Sequence, residues 1–286
     1  MREEGCVGYG QASGLRHLLQ QRALPVVTVV GARSGAGASL VAAGLVAGLG
    51  QLGRTLVLDE RHGQCVLGDI LGLRVRFDAR SVIDGQLEGS RARVPVGHGV
   101  DYISMARLMS GHTSRAHGAA WRRLYALASR YDRVVVDGHA WDLAQRLAMG
   151  GKVVASTLVV VDEGTQRTDL EWALARVGEV SRVGFVVNRT LGASDDGRIG
   201  GMIEQMAQHH GYDASDMGSL PLAQRYVSDR QYDLGAAGSQ ALSLPVALQR
   251  LQARVLAWAN GDGTLAGLGS VQDKAAVAAS ALAPFA

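Results

Sequence analysis

The chain has little of several residue types, and each shortage excludes a class of protein. Its 286 residues include only 2 cysteines, Cys6 and Cys65, too few for a disulfide framework, so we expect a reducing, cytoplasmic environment. Aromatic residues make up 5% of the chain, which argues against a surface that stacks nucleic-acid bases. The 29 basic and 26 acidic residues are also too balanced to indicate nucleic acid. We therefore expect no nucleic-acid partner.

Long apolar runs and lysines are scarce as well. The longest apolar stretches, such as residues 153–161, fall well short of the ~20 residues that a membrane-spanning helix needs. No basic-then-apolar signal segment opens the chain. Only Lys152 and Lys274 are lysines, and the rest of the 29 basic residues are arginines. The shortage of lysine matters because two classes of nucleotide-binding protein each need a lysine at a fixed position.

Short β-branched runs alternate with helical patterns along most of the chain. The runs predict strands at residues 26–30, 55–58, 133–136, 153–161 and 182–187. The helical patterns lie at residues 39–52, 115–130, 165–179 and 199–210. Continuous apolar strands separated by helices are typical of a parallel sheet that is buried on both faces. We therefore predict an α/β fold with a single doubly wound, mostly parallel sheet and helices on both faces.

The composition divides the chain into three regions. Residues 1–23 contain a short amphipathic element, residues 24–258 form the predicted α/β domain, and residues 259–286 are a glycine-rich linker and an alanine-rich tail. The tail offers one lysine and mostly small apolar side chains, which bury little area and give no basic face. We expect membrane association to be weak or indirect.

Residues 27–46, VVTVVGARSGAGASLVAAGL, have the outline of a phosphate-binding loop between a strand and a helix. Three glycines, Gly31, Gly35 and Gly37, fit the Gly-x-x-x-Gly-x-Gly pattern of short-chain dehydrogenases. Asp59 ends the next predicted strand, where an NAD site places its ribose-binding acid. Taken alone, the loop favours a dinucleotide, although a tight turn that holds nothing is also open.

A triphosphate loop has the pattern Gly-x-x-x-x-Gly-Lys-Ser/Thr. In that register the chain keeps Gly37 and Ser39 but has Ala38 in place of the lysine. A short-chain dehydrogenase, however, needs a Tyr-x-x-x-Lys pair for proton transfer. Ala148 stands four residues before Lys152, and Ser270 stands four residues before Lys274. The dehydrogenase chemistry is therefore absent.

The segments after the loop resemble the MinD/ParA class of deviant-loop ATPases. GRTLVLDERHGQCVLGDILGL (53–73) is similar to the strand and switch of that class, and YDRVVVDG (131–138) resembles its Walker B strand. RTDLEWAL (167–174) resembles the helix after its fourth strand. FVVNR (185–189) and MGSLPLAQRYVSD (217–229) resemble the two segments that enclose the adenine. The resemblance implies that the chain binds ATP or ADP with Mg²⁺ and forms a nucleotide-dependent homodimer.

The site residues that this resemblance implies come from the loop and from the strands around it. For the nucleotide they are Arg33, Ser34, Gly35, Ala36, Gly37, Ala38, Ser39, Asp59, Asp137, Asn188 and Pro221, with Ser39 and Asp137 as the Mg²⁺ ligands.

Within that class, one branch matches the N-terminal residues best. GQASGLRHLL (10–19) resembles the D-Q-A-x-x-L-R activator segment of FlhG (also called FleN or YlxH), a MinD-like regulator of flagellar number and placement. In that family the segment stimulates the GTPase FlhF. The resemblance implies that Gln11 completes the partner's active site, and that a docking helix makes the remaining contacts. Those contacts would come from Leu15, Arg16 and Leu19. An ordinary N-terminal helix is the alternative.

The chain also departs from the class at charged positions. Ala38 replaces the lysine that clamps the β- and γ-phosphates, and Arg33 stands where the class has the lysine that reaches across the dimer. Arg61 replaces the second aspartate of D-x-D, which holds the attacking water, and the carboxylate of the switch is Gly68 by strict register, with Asp69 next to it. We therefore expect that any hydrolysis is impaired.

The sequence thus predicts an FlhG-like regulator with a degraded ATP site that acts through an FlhF-type GTPase and flagellar proteins. It would be cytoplasmic, or peripheral at the inner membrane or cell pole. One alternative is a working MinD/ParA-type positioning ATPase in which Arg33 performs the lysine's task, since guanidinium binds phosphate well. An NAD-binding Rossmann-type protein and a silent scaffold are two further alternatives.

Other polar residues are weaker candidates. His209 and His210 are adjacent and cannot share one helical face, and no Cys/His spacing completes a metal site. His139 follows the Walker B aspartate but fits a solvated loop better. Asp162 and Glu163 end a predicted strand, where they would either line a cleft or cap a helix.

Overall fold

The structure, a computed structural model, describes ten stretches of the chain. They are residues 23–60, 66–97, 99–106, 118–138, 143–175, 177, 182–190, 193–211, 214–221 and 243–259. The strands are β1 (Leu24–Gly31), β2 (Thr55–Asp59), β3 (Val94–Gly97), β4 (Val100–Ser104), β5 (Arg133–Asp137), β6 (Val153–Val161), β7 (Arg182–Thr190) and β8 (Ala214–Pro221). The helices are α1 (Ala38–Leu49), α2 (Val66–Ile70), α3 (Ala79–Ile83), α4 (Gly89–Ala92), α5 (Gly118–Ala128), α6 (Leu143–Ala148), α7 (Arg167–Leu174), α8 (Ala193–His210) and α9 (Ser243–Ala259). A short 3₁₀ turn, Gly50–Leu52, follows α1.

The strands form one sheet in the order β3-β4-β2-β5-β1-β6-β7-β8. All neighbouring strands are parallel except β3 and β4, which are antiparallel. The strand that carries the glycine-rich loop, β1, lies in the middle of the sheet, between β5 and β6. In open parallel sheets, ligands bind at the carboxyl ends of the strands. The predicted α/β fold with a mostly parallel, doubly wound sheet is confirmed.

Helices pack on both faces of the sheet because the strands are apolar on both sides. On one face α1 and α9 bury Leu45 and Trp258 against the sheet. On the other face α5 and α6 bury residues such as Trp121, and α7 and α8 bury residues such as Leu170. Strand β5 contributes to both cores, since Val135 belongs to the α1 side and its neighbours to the α5 side.

Helix α9 packs very closely on α1. A Cβ atom at Gly44 would come within 2.5 Å of Leu248, and one at Gly48 within 2.0 Å of Gln252. The Gln252 Nε2 group donates a hydrogen bond of 2.7 Å to the Gly44 carbonyl oxygen. Because these two positions are glycines, α9 can pack directly against α1, the helix that follows the loop.

The predicted strands are all present, with bounds that differ by at most three residues at either end. The structure adds β3, β4, β8, α9 and several short helices that the sequence patterns did not predict. The predicted N-terminal element and the C-terminal tail, residues 1–22 and 260–286, lie outside the described residues. Within the described part, no helix has both the length and the apolar character needed to cross a membrane.

Candidate functional site

The glycine-rich loop leaves β1 at Gly31 and enters α1 at Ala38. Gly35 and Gly37 have φ angles of 82° and 93°, a left-handed conformation that glycine adopts without steric cost. Among the described residues, the backbone amides of Gly37, Ala38 and Ser39 donate to no protein acceptor. Unbonded amides at the N-terminus of a helix attract anions. The loop therefore offers a cradle for a phosphate group.

Ser39 gives a second, independent indication of a ligand. The residue is only 4% exposed, and within the described part of the chain its Oγ atom is buried without a hydrogen-bond partner. A buried hydroxyl of this kind calls for an explanation, such as an ion that is bound when the site is filled. Ser39 lies in the first turn of α1, where a phosphate-binding loop places its Mg²⁺ ligand.

Asp137 is the second predicted metal ligand, and the structure places it at the same edge of the sheet. It ends β5, is fully buried, and pairs in register with Val29 of β1. Because strand side chains alternate, Asp137 shares the α1 face with Val135. No group of three or more His, Cys, Asp or Glu side chains in the described ranges forms a complete metal site. A Mg²⁺ ion here would need the oxygens of a nucleotide and water in addition, as Mg²⁺ in nucleotide sites usually does.

Arg33 is held by a carboxylate instead of pointing freely into the cradle. Its Nε and Nη2 atoms donate to the two carboxylate oxygens of Asp162, at 2.8 and 2.7 Å. Asp162 follows β6 and its side chain is 2% exposed, whereas that of Arg33 is 35% exposed. The Thr165 hydroxyl also donates to Asp162, at 3.0 Å. The hydrogen bonds from Arg33 to Asp162 raise the pKa of Arg33 above its ordinary value. The pair joins the loop to the end of β6.

The structure places Asn188, predicted to contact adenine, against the loop backbone. Asn188 is 3% exposed, and its Nδ2 group donates to the Ala36 carbonyl oxygen at 2.9 Å. Its neighbour Arg189 donates from Nη2 to the Gly35 carbonyl oxygen at 2.7 Å. Two consecutive residues of β7 therefore hold two consecutive carbonyl groups of the loop. Arg189 was not predicted to be a site residue. Its position directly after Asn188 was the feature of the sequence that could have indicated it.

Asp59 ends β2, is buried, and pairs in register with Asp137 of β5. Its Oδ2 atom accepts hydrogen bonds from the Tyr102 hydroxyl at 2.7 Å and from the Gly68 amide at 3.3 Å. These bonds tie the start of α2 to the end of β2. Neither Tyr102 nor this contact was predicted, because the two strands involved are 43 residues apart in sequence.

The strand order also bears on the NAD alternative. In a dinucleotide-binding fold, the strand with the ribose-binding acid pairs directly with the first strand. Here β5 separates β2 from β1, so Asp59 lies two strands away from the loop, roughly 10 Å at the usual spacing. This arrangement does not fit an NAD site.

The remaining predicted residues lie in the loop itself or in other elements of the fold. Ser34 and Gly35 are exposed at its tip, whereas Ala36 and Ala38 are buried. Pro221 ends β8 and pairs with Thr190. Asp69 is in α2, and His209 and His210 touch edge to face at the end of α8. Several residues fall outside the described ranges, namely Gln11, Leu15, Arg16, Leu19, Arg61 and His139.

The chain is similar in fold to solved structures of a plasmid partition protein, McdA and the cell division protein MinD. Neither protein-family models nor curated proteins give a match to this sequence. A plasmid partition protein from Borrelia burgdorferi B31 bound to AMPPNP matches with a TM-score of 0.60 at 12% identity, over 82% of this chain and 99% of that chain. Cyanothece McdA in complex with ATP gives 0.60 at 17%, over 83% and 96%. MinD from Aquifex aeolicus gives 0.57 at 17%, over 81% and 96%. The chain therefore has the MinD/ParA fold.

Proposed function

We propose that this chain is a MinD/ParA-type positioning protein that binds ATP or ADP with Mg²⁺ weakly, hydrolyses ATP poorly and acts through protein partners. One observation carries the proposal: a left-handed glycine loop leads into a helix whose first turn buries the Ser39 hydroxyl, and neither that hydroxyl nor the amides of the loop's end have a partner in the described part of the chain. Amides and a hydroxyl in this arrangement suit a phosphate group and its metal ion. The nucleotide complexes of similarly folded proteins support the same ligand class.

Each part of the site has a separate task in this proposal. The amides of Gly37, Ala38 and Ser39 bind phosphate oxygens, and the Ser39 hydroxyl and the Asp137 carboxylate hold Mg²⁺. When bound, the ion neutralises charge on the phosphates. Asn188 keeps the loop in its binding conformation through the Ala36 carbonyl. Pro221, at the end of β8, borders the same edge of the sheet.

Poor hydrolysis follows from the missing charges. Phosphoryl transfer depends on positioning and on electrostatic stabilisation of the phosphates. Ala38 supplies no cation, and Arg61 puts a cation where a carboxylate would orient the water. The alternative of a working ATPase requires Arg33 to serve as the cation, but its guanidinium is paired with Asp162. We therefore favour binding with little turnover.

Calorimetric titrations with ATP–Mg²⁺ and with NAD(H), together with steady-state ATP hydrolysis, test this function. Measurable ATP binding with turnover far below that of a working MinD-type ATPase supports it. NAD(H) binding would favour the dinucleotide alternative, and rapid ATP turnover would favour the working ATPase. If the protein binds neither nucleotide, the silent scaffold is the alternative that remains.

Restoring the loop lysine should improve binding without restoring turnover. Ala38→Lys adds one charge-assisted contact, which we expect to tighten ATP binding by about tenfold. Hydrolysis should stay low, because Arg61 remains in the position of the water-holding carboxylate. Calorimetry and a phosphate-release assay measure the two effects. Ala38→Met, a side chain of similar length without charge, is the control, and equal affinity of the two variants would contradict the prediction.

A more specific function rests on the N-terminal residues. We propose that the chain is an FlhG-like regulator of flagellar number and placement, whose partner is an FlhF-type GTPase and which reaches the inner membrane or cell pole through that partner. The support is the match of Gln11, Ala12, Leu15 and Arg16 to the activator segment, together with the MinD/ParA fold of the domain that follows it. A nucleotide-dependent homodimer belongs to the same proposal.

A peptide of residues 1–24 should accelerate GTP hydrolysis by the FlhF-type GTPase of the same organism. Gln11→Ala should remove this stimulation, because a glutamine supplied to a partner's site can orient the attacking water. Gln21→Ala is the matched control and should keep the stimulation. A GTPase assay at saturating peptide measures the effect. If the Gln11→Ala peptide stimulates as well as the unchanged peptide, the chain is not an FlhG-like activator.

A further inference from the structure

We propose that Arg189, and not Arg33, is the cation that contacts the phosphate groups of a nucleotide held by this loop. The inference rests on the nucleotide binding proposed above and names the residue that takes over from the lysine missing at Ala38. It follows from the positions of the two arginines, from the groups to which each one donates, and from the carboxylate that pairs with Arg33 but not with Arg189 among the described residues.

Arg189 contacts the loop that forms the phosphate cradle. Its Nη2 atom donates to the Gly35 carbonyl oxygen at 2.7 Å, and a Cβ atom built on Gly37 would lie 3.6 Å from the same Nη2. The guanidinium thus spans the two left-handed glycines of the loop. The unbonded amides begin at Gly37, so a phosphate on those amides is next to the guanidinium.

The backbone of Arg189 is itself unusual. Its φ angle is 62°, and among the described residues it alone is a non-glycine residue with a positive φ. Such a conformation is uncommon for a side chain other than asparagine or aspartate, and strain of this kind concentrates at binding sites. Here the conformation occurs in the residue that follows Asn188, whose side chain also binds the loop. The end of β7 therefore contacts the loop through two consecutive residues, Asn188 and Arg189.

The charge of Arg189 is available to a ligand. Guanidinium carries five N–H donors, and in the described part of the chain one of them is used, on a neutral carbonyl. Within the described residues no carboxylate pairs with Arg189. A phosphate can therefore bind to the remaining donors without breaking the bond to Gly35, and the planar fork suits phosphate oxygens.

Arg33 differs on each of these points. Its fork is filled by both oxygens of Asp162, which also cancels its charge. Moving Arg33 to a phosphate would leave a buried carboxylate unpaired, an unfavourable change in a low-dielectric environment. The Arg33 guanidinium also packs closely on Gly164, where an added Cβ atom would come within 2.5 Å of Nη2. Arg33 therefore links the loop to the end of β6.

Titrations of the full chain with ADP and with tripolyphosphate test this inference. Arg189→Gln removes the charge but keeps a donor for the Gly35 carbonyl. We expect this variant to lose at least about tenfold in affinity for both ligands, and Arg189→Lys to recover part of the loss. Arg198→Gln is the matched control, because Arg198 also donates to a nearby carbonyl, that of Glu163, at 2.9 Å. Arg33→Gln should lose less affinity than Arg189→Gln.

The outcomes separate this inference from the proposed function. Equal affinity of Arg189→Gln and wild type overturns the role of Arg189 and leaves nucleotide binding intact. A loss for ADP without a loss for tripolyphosphate also overturns it, because the contact would then be to the base or the sugar. Tripolyphosphate binding through Arg189 without nucleotide binding overturns the proposed function alone. A wild-type protein that binds neither ligand overturns both.

Discussion

Replacing Arg33 by alanine should lower the free energy of unfolding by about 2–3 kcal/mol. The substitution leaves the Asp162 carboxylate, 2% exposed, without the one cation that pairs with it among the described residues. Breaking a fully buried ion pair typically costs about 3–5 kcal/mol, and we expect less here because Arg33 is 35% exposed and water reaches it. Urea or guanidinium denaturation of the two proteins measures the difference.

Two further variants show whether the buried carboxylate causes this loss. Asp162→Asn removes the charge but keeps the shape, and the half-exposed Arg33 then turns to water, so this variant should lose less stability than Arg33→Ala. Combining both substitutions should recover part of the loss of Arg33→Ala. Arg167→Ala is the control for an exposed pair, since Arg167 and Glu171 are 62% and 45% exposed; it should cost less than about 0.5 kcal/mol. Equal losses for Arg33→Ala and Arg167→Ala would contradict the prediction.

The central part of the fold could be predicted from the sequence because its strands are continuous apolar runs. Strands β1, β5, β6 and β7 each contain a run of buried apolar residues, such as residues 134–136 of β5 and 158–161 of β6, and that pattern is visible without a structure. Strand β8, with the sequence ASDMGSLP, has no such run and is formed because β7 offers it a partner. Strands β3 and β4 likewise form as a pair next to β2. The pairing of β8 with β7 and of β4 with β2 joins segments that are not adjacent in sequence, so it could not be predicted from local patterns.

The same division applies to the site. The glycine-rich loop follows from local spacing, and the candidate metal ligands Ser39 and Asp137 follow from the resemblance to the MinD/ParA class. The contact of Arg33 with Asp162 spans 129 residues, and that of Asn188 with the loop spans 152. Such contacts decide which arginine carries free charge, and only the folded chain brings them together. Candidate positions can therefore be selected from the sequence, whereas their hydrogen-bond partners are visible only in the structure.

A side chain added at Gly37 should disrupt the conformation of the loop most severely. Gly37→Ala places a Cβ atom at a φ of 93°, only 2.3 Å from the Nδ2 atom of Asn188. Asn188 is buried and bonded to the Ala36 carbonyl, so it cannot move without losing that bond. Backbone strain and the lost hydrogen bond together should cost about 3 kcal/mol of stability.

Gly35→Ala is the matched control, because it introduces the same kind of strain without the clash. Its φ is 82°, and a Cβ atom there would meet nothing within 4 Å, so the cost should be only about 1–2 kcal/mol. Nucleotide affinity should separate the two variants further. Gly37→Ala displaces the amides of Gly37, Ala38 and Ser39 and should weaken ADP binding by at least about tenfold, whereas Gly35→Ala should weaken it by less than about threefold. Denaturation and calorimetry of both variants measure these effects. If Gly37→Ala binds ADP as tightly as Gly35→Ala does, the amides at the start of α1 do not form the phosphate cradle.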